Sequence, residues 1–401
     1  MRNLKSDTMN IHSHLRRSAL PIFAIILCTM ACTISCAKKL SIEHTKSIAE
    51  KYINEDKCDE ALKLIFDNLT DEEIAQNALF LLVKAASDFE PVFQDAVVMD
   101  HTIYGDKVNS ARLSSDKKLL VTADGTTLRI RVFSFPDMKE SLIIPTQAPV
   151  YSAIMDRSGN RIVAAGHDGN VYFYDYPSGN EIGKIHAHDY PVRDLWLTKD
   201  GKLITVSNDH TISVFDPESG ERLQNMKIHS MNIKNVTLSP DETLVATASN
   251  DGSVQTLEYH NGELSLIGKY INAADNYVNA IAISPDKQLV ASGSGDGNVK
   301  FWGARDHKPV GSVSLEEPVS ALSFSPDGTR LIAGTASHVY LIDAVTRQAV
   351  IQFPVIGNEY WSAEFIDNDR VMVSENKSVK IIKIPTTDEI LETCREIYND
   401  L

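Results

Sequence analysis

The chain of 401 residues is 43% hydrophobic and 23% charged, the composition of an ordinary soluble globular protein. Its net charge of −15 argues against a nucleic-acid partner, because binding a phosphate backbone needs a basic footprint. Length alone allows two or three domains, unless a repeat absorbs most of the chain.

The first 35 residues stand apart. Arg16 and Arg17 precede an apolar run from Ala19 to Leu27 that continues more weakly to Ile34. This has the form of a secretory signal and is short for a membrane span, which needs roughly 20 apolar residues. Thr33-Ile34-Ser35-Cys36-Ala37-Lys38-Lys39 then resembles a bacterial lipoprotein cleavage site, with a small residue before the cysteine and a polar start after it. Thr33 stands where such sites usually carry Leu, and Cys32, after Ala31, is the rival. The resemblance implies a signal over residues 1–35, lipidation at Cys36 or alternatively Cys32, and a chain held to a bacterial cell envelope by lipid, on the periplasmic side or the cell surface. An ordinary cleaved signal and an uncleaved anchor are the other two readings. Removing residues 1–35 takes away a net charge of +3 and leaves the mature chain at −18.

Residues 36–92 are predicted helical. Ile48, Ala49 and Tyr52 share a face at helical spacing, as do Ala61, Leu62, Ile65 and Phe66. Thr70-Asp71-Glu72-Glu73 reads as a capping box that opens a third helix running through Ala86. The pattern from Ala49 to Leu62 resembles one tetratricopeptide unit, too little for an array, since solenoids need about three. Cys58 here and Cys394 near the C-terminus either pair as a disulfide in an oxidising compartment or stay as buried thiols, the reading preferred here.

A repeat fills residues 93–385. Ser325-Pro326-Asp327-Gly328 has relatives whose third positions are Asp116, Ser158, Asp200, Asp241, Asp286 and Asn368, at spacings of 42, 42, 41, 45, 41 and 41 residues. Each unit offers an alternating segment, this turn, an apolar strand, and a second tight turn such as His167-Asp168-Gly169-Asn170 or Gly295-Asp296-Gly297. Asp-Gly between two strands is a strong hairpin signal. A third strand ends near an aromatic-acid pair, such as Tyr174-Asp175 or Phe215-Asp216, and a weaker fourth strand follows. Four antiparallel strands per unit make a propeller blade, and seven units make an all-β, seven-bladed β-propeller of four-stranded antiparallel blades. The seventh unit supplies three strands and then runs into Pro385, while Ala96 to Ile103 is an orphan strand upstream. That strand is predicted to complete the last blade and remove an exposed sheet edge. Residues 386–401 form a C-terminal helix, and both helical flanks are expected to pack on the propeller rim.

These units resemble WD repeats over about residues 94–384, in a form similar to bacterial WD-repeat proteins. The resemblance implies a hydrogen-bonded group in each blade: a preceding His, a Ser or Thr ending the second strand, the turn Asp and a third-strand Trp. His188, Ser207 and Asp209 match in one unit, with Phe215 in place of Trp. Ser294, Asp296 and Trp302 match in another, without a His. No unit has the full set, so closure is predicted to rest mainly on apolar packing between blades.

No catalytic motif stands out: there is no His-Glu-x-x-His, no phosphate loop and no Gly-x-Ser-x-Gly elbow. The turn aspartates Asp124, Asp168, Asp209, Asp251 and Asp296 are predicted to accept backbone N–H groups of their own turns and not to bind metal. His186 and His188 lack further ligands nearby and read as loop residues. Neither metal nor cofactor is expected. In proteins resembling this one, the face where the first strands begin is the usual docking surface. The matching residues are Asn109, Tyr151, Arg193, Lys234, Asn279, Ser320 and Ser362. Tyr151, Arg193 and Lys234 fall on consecutive blades and have the composition of an interaction hot spot. Tyr190, Tyr277 and Tyr360 lie in adjoining loops. The sequence therefore points to a non-catalytic scaffold that docks other proteins, envelope proteins among them. The alternative is an envelope enzyme or small-ligand binder using the central channel. The seven mouth positions carry no carboxylate and no histidine, which counts against it.

Overall fold

The computed structural model describes residues 40–86, 97–102, 107–125, 127–270, 276–315, 317–354, 360–375 and 377–400. The signal segment with Cys32 and Cys36 lies outside them. Two compact units divide the described chain: one up to Ala86 together with the stretch from Tyr398, the other running to Ile397.

The first unit holds four helices: α1 (Ile42–Asn54), α2 (Cys58–Asn68), α3 (Asp71–Asn77) and α4 (Leu79–Ala86). Ser41 caps α1, and Thr70 with Glu73 forms the expected capping box on α3. The third predicted helix is two helices, because Ala78 leaves helical geometry at φ −134°. Its N–H still reaches the Ile74 carbonyl at 2.9 Å, so the break is a bend with little loss of hydrogen bonding. Ala49, Ile53, Ala61, Leu62, Ile65, Ile74, Leu81 and Leu82 are buried. No helix among the described residues is long and apolar enough to cross a membrane.

The second unit is a seven-bladed propeller of four-stranded antiparallel sheets. Blades 1 to 6 occupy residues 108–145, 150–186, 192–227, 233–270, 278–314 and 321–354. Blade 7 takes its three inner strands from residues 360–383 and its outer strand from Val97–Thr102, which pairs antiparallel with Ser378–Lys383. This joins the two ends of the repeat and leaves no open gap in the ring.

The core lies between blades. Val121, Ile130 and Val132 of blade 1 pack with Ile162, Ala164 and Tyr174 of blade 2. Val163, Val171 and Phe173 then meet Leu195, Leu203 and Phe215 of blade 3. Blade 7 closes on blade 1 through Met372, Val379 and Ile381 against Val108, Leu120 and Phe133. Burying a side chain of this size stabilises by about 1.5–3 kcal/mol, so no blade is stable apart from its neighbours. Polar bolts reinforce the inner strands. Ser362 Oγ accepts from Ala111 N at 3.2 Å, Ser110 Oγ from Ala153 N at 3.3 Å, and Ser323 Oγ from Phe365 N at 3.3 Å. Thr386 and Glu389 form a second capping box, at the start of α5 (Thr387–Asp400), whose buried face holds Ile390, Leu391 and Cys394.

Candidate docking surface

One local distortion builds the mouth of the propeller. In six blades the inner strand slips register immediately after its apolar anchor: Val108/Ser110, Val150/Ser152, Val192/Asp194, Ile233/Asn235, Val278/Ala280 and Tyr360/Ser362. The residue left over is a β-bulge, which re-aims its side chain. The bulge residues are Asn109, Tyr151, Arg193, Lys234, Asn279 and Trp361. Five of these are mouth positions expected from sequence. In blade 7 the bulge falls at Trp361, one residue before the expected Ser362, and it stands seven residues before Asn368, the same step that separates the other bulges from their turn positions. Ser362 instead shares the 2.7 Å hydroxyl contact with Ser374 and takes part in the bolt to blade 1.

The mouth residues divide by what they already bind. Asn109 Nδ2 donates to the Val150 carbonyl at 2.8 Å, and Asn279 Nδ2 to the Val319 carbonyl at 3.2 Å. Both amides thus stitch a blade to the next one. Ser320 Oγ donates to Gly334 O within its own blade. Tyr151, Arg193 and Lys234 come together: the guanidinium of Arg193 lies 4.0 Å from the centre of the Tyr151 ring. Burial, helped by the charge of Arg193, lowers the proton affinity of Lys234. Three residues before Arg193, Tyr190 is 59% exposed, and in the corresponding loop of blade 4 Met231 is 49% exposed. Met231 was not singled out in the sequence; its place matches that of Tyr190. Tyr277 packs over Gly295, where a Cβ would meet the ring at 2.4 Å. The Tyr360 side chain falls outside the described residues.

Below this surface, polar side chains are consumed by the fold. His188 places Nδ1 2.8 Å from Asp209 and Nε2 2.8 Å from Thr205. His229 repeats the arrangement in blade 4 with Asp251 at 3.2 Å and Thr247 at 2.9 Å. Two blades therefore carry the His–hydroxyl–Asp set, one more than the sequence suggested. His229 stands 41 residues after His188, a signal available from the repeat. The hydroxyl is also not the expected one. Thr205 bonds the histidine, while Ser207 donates to the Tyr190 carbonyl and accepts from Asp209 N. In blade 5 the matching Ser292, not Ser294, accepts from Trp302 Nε1 at 3.1 Å. Strand alternation explains this: the residue two earlier lies on the same face, one step nearer the middle of the sheet.

The turn aspartates serve the turns in four blades. Asp168, Asp209, Asp251 and Asp296 accept from Asn170 N, Thr211 N, Ser253 N and Asn298 N. Gly169 shows how tight these turns are: its φ is +82°, and a Cβ there would meet the His188 carbonyl at 2.0 Å. Burial works to raise the Asp209 and Asp251 carboxyls, but hydrogen bonds from His188 and His229 outweigh it and hold both well below the usual range. Asp124 accepts from Thr127 Oγ1 of its turn at 3.1 Å and also holds a cation. It ends its strand buried, 3.0 Å from Arg131, which also bonds Glu140 at 2.6 Å. Its desolvation exceeds what Arg131 returns, so its proton affinity is raised. Blade 6 reverses the usual polarity. Glu317 comes from the preceding loop and accepts from Thr335 Oγ1 at 2.6 Å and Ser337 N at 3.1 Å, and its carboxylate also pairs with Ser337 Oγ. Burial presses this carboxyl upward, but donations from Ser337 and Thr335 prevail and hold it at about 2.

Deeper along the axis, Arg112 of blade 1 reaches Asp194 of blade 3 at 3.0 Å. The same carboxylate accepts from Asn235 Nδ2 at 2.8 Å and Val236 N at 3.3 Å in blade 4. Glu364 occupies on blade 7 the strand position of Arg112, and burial raises its proton affinity against the charges of Arg112 and Lys117. The axis therefore holds carboxylates below the mouth, which the mouth positions alone did not reveal. His186 is exposed and contacts Asn170 at 3.1 Å and Asp189 at 3.3 Å. Among the described residues no three His, Cys, Asp or Glu side chains gather as a metal site. Residues 293–297 form the end of a strand and its turn, and do not lead into a helix. Cys58 and Cys394 are each a buried thiol, and burial pushes the Cys394 thiol up to about 12.

Four stretches, 179–216, 220–255, 265–303 and 308–343, match the WD domain, G-beta repeat. Each match begins near the outer strand of one blade and ends in the third strand of the next. The sequence unit therefore straddles two blades, and every unit ties its neighbour into the ring. Propellers of this kind commonly serve as protein-interaction scaffolds and are generally non-catalytic. No curated protein matches the chain.

Proposed function

We propose that this WD-repeat propeller is a non-catalytic docking scaffold, tethered to a bacterial cell envelope by lipid on Cys36 or Cys32, which binds envelope proteins at the mouth over blades 2 to 4. The observation that carries the docking face is the contrast among the bulge residues. Asn109 and Asn279 are spent on joining blades, whereas Tyr151, Arg193 and Lys234 converge beside exposed Tyr190 and Met231. A stacked Tyr–Arg pair rimmed by apolar side chains is the composition of a binding hot spot. The tether rests on the cysteine-rich end of the signal-like segment.

The test is capture from native envelope with wild type and a Tyr151→Ala/Arg193→Ala/Lys234→Ala variant. A protein retained by wild type and lost by the folded variant supports the docking face. Identical capture by both refutes it. Metabolic labelling with a fatty-acid analogue, in wild type and in Cys36→Ala and Cys32→Ala variants, tests the tether; absence of label from wild type overturns it.

Glu364 gives the channel reading one specific point in its favour, since a carboxyl of raised proton affinity on the axis suits a small ligand. Asp194, however, is fully engaged by Arg112, Asn235 and backbone N–H groups, which leaves the axis spanned by a side-chain strut.

A further inference from the structure

Many of the buried and half-buried charges in this propeller are answered within the fold. Arg112 meets Asp194, Arg131 meets Asp124 and Glu140, Arg157 meets Glu242 at 2.5 Å, and Lys202 meets Asp216 at 2.7 Å. Arg193 and Lys234 are different. Neither has a hydrogen bond or ion pair among the described residues, and Arg193 Nε is buried without a partner. Both are half-buried and adjacent, in a chain of net charge −15 with carboxylates to spare. Two neighbouring cations withdrawn from water disfavour one another, and an opposing charge relieves both terms at once. Among the described residues, acids at this end are committed: Asp194 to Arg112, Asp209 to His188, Asp251 to His229. Asp189 is 89% exposed in its side chain and faces His186.

Building on the docking face proposed above, we infer that Arg193 and Lys234 form a seat for the carboxylate of an acidic segment on a partner protein. The guanidinium lies over the Tyr151 ring, 4.0 Å from its centre. The donor edge that remains can take a carboxylate in a forked pair of hydrogen bonds, a geometry lysine alone cannot offer. Lys234 supplies the second charge, and an arriving anion would restore the proton affinity its surroundings depress. Tyr190 and Met231 decide the source. A free inorganic anion has no use for two exposed apolar side chains beside the charges, whereas a peptide with an apolar residue next to its acid uses both.

The experiment is calorimetric titration of the mature chain at low salt with three probes. They are a blocked heptapeptide holding two glutamates between leucines, its glutamine counterpart, and inorganic phosphate. The glutamate peptide is expected to bind wild type at least about tenfold more tightly than the glutamine peptide, and to lose about tenfold on Arg193→Gln/Lys234→Gln. Tyr190→Ala/Met231→Ala is expected to cost a smaller factor, about threefold. Circular dichroism melts verify that each variant is folded. Equal binding of the two peptides, equal binding to the double variant, or no binding of the glutamate peptide overturns the seat. Phosphate that prefers wild type over the double variant overturns the assignment to a peptide. Capture separates this inference from the docking reading. A partner lost by the Tyr151/Arg193/Lys234 alanine variant but kept by Arg193→Gln/Lys234→Gln leaves the docking face standing and removes the carboxylate seat.

Discussion

The turns of blades 3 and 4 and the mouth of the same two blades lie at one end of the propeller and treat charge in opposite ways. In the turns, Asp209 and Asp251 are saturated: each holds a histidine, a hydroxyl and a backbone N–H. At the mouth, Arg193 and Lys234 have no hydrogen bond or ion pair among the described residues. A buried charge that is fully bonded serves the fold, because removing any partner strands the others. A half-buried charge without a polar partner gains no such bond from folding. Satisfaction, more than residue type, separates the two roles here.

Asp251→Ala should break the saturated side hardest. It strands His229, Ser253 and the Ser230 N–H together, and the expected loss is about 3 kcal/mol, read as a fall in urea midpoint at constant slope. Asp189→Ala, in the exposed loop nearby, should leave the midpoint unchanged. Glu317→Gln should cost about 1–2 kcal/mol near neutrality, since the carboxylate answers three donors. That cost should depend on pH. The folded carboxyl sits at about 2, below the unfolded value of about 4.3, so its contribution is complete above the unfolded value and disappears as pH falls toward 2. Thermal melts of wild type and Glu317→Gln should therefore differ at pH 6 and converge near pH 2. A gap that persists at pH 2 would show that shape, not charge, is what Glu317 contributes. Ser110→Ala, which leaves the buried Ala153 N–H unanswered, should cost about 1 kcal/mol in the same urea assay. Arg193→Gln/Lys234→Gln should fall within about 0.5 kcal/mol of wild type, or stabilise slightly by ending the repulsion. A large loss in that variant would erase the contrast and place both cations in the fold.

Much of the propeller was legible in the chain because each unit repeats the same local chemistry. Ser-Pro-Asp-Gly and Asp-Gly turns, set at nearly constant spacing, fix hairpins wherever they occur. The orphan strand near Val97 could be matched to blade 7 by counting strands alone. The mouth residues were legible for five of the bulges. In blade 7 the same seven-residue step back from the turn at Asn368 gives Trp361, so this bulge was legible too and Ser362 lay one residue off. Thr205 and Ser292 were missed. The pattern marks strand ends, whereas the hydrogen bonds of His188 and Trp302 depend on which face a residue shows and how deep it sits.

What the sequence determined by itself was local and periodic: turn chemistry, strand alternation, seven units, helical flanks with a capping box at Thr70. Those features depend on residues a few positions apart, and short-range sterics and hydrogen bonding decide them. The tertiary structure decided which side chains meet once strands pair and blades close. It set Asp124 against Arg131 and ran Arg112 across the axis to Asp194. It also left Arg193 and Lys234 side by side with no acid paired to them among the described residues. Charge balance is a property of the packed whole, and no spacing along the chain reports which carboxylates a ring of blades has already used.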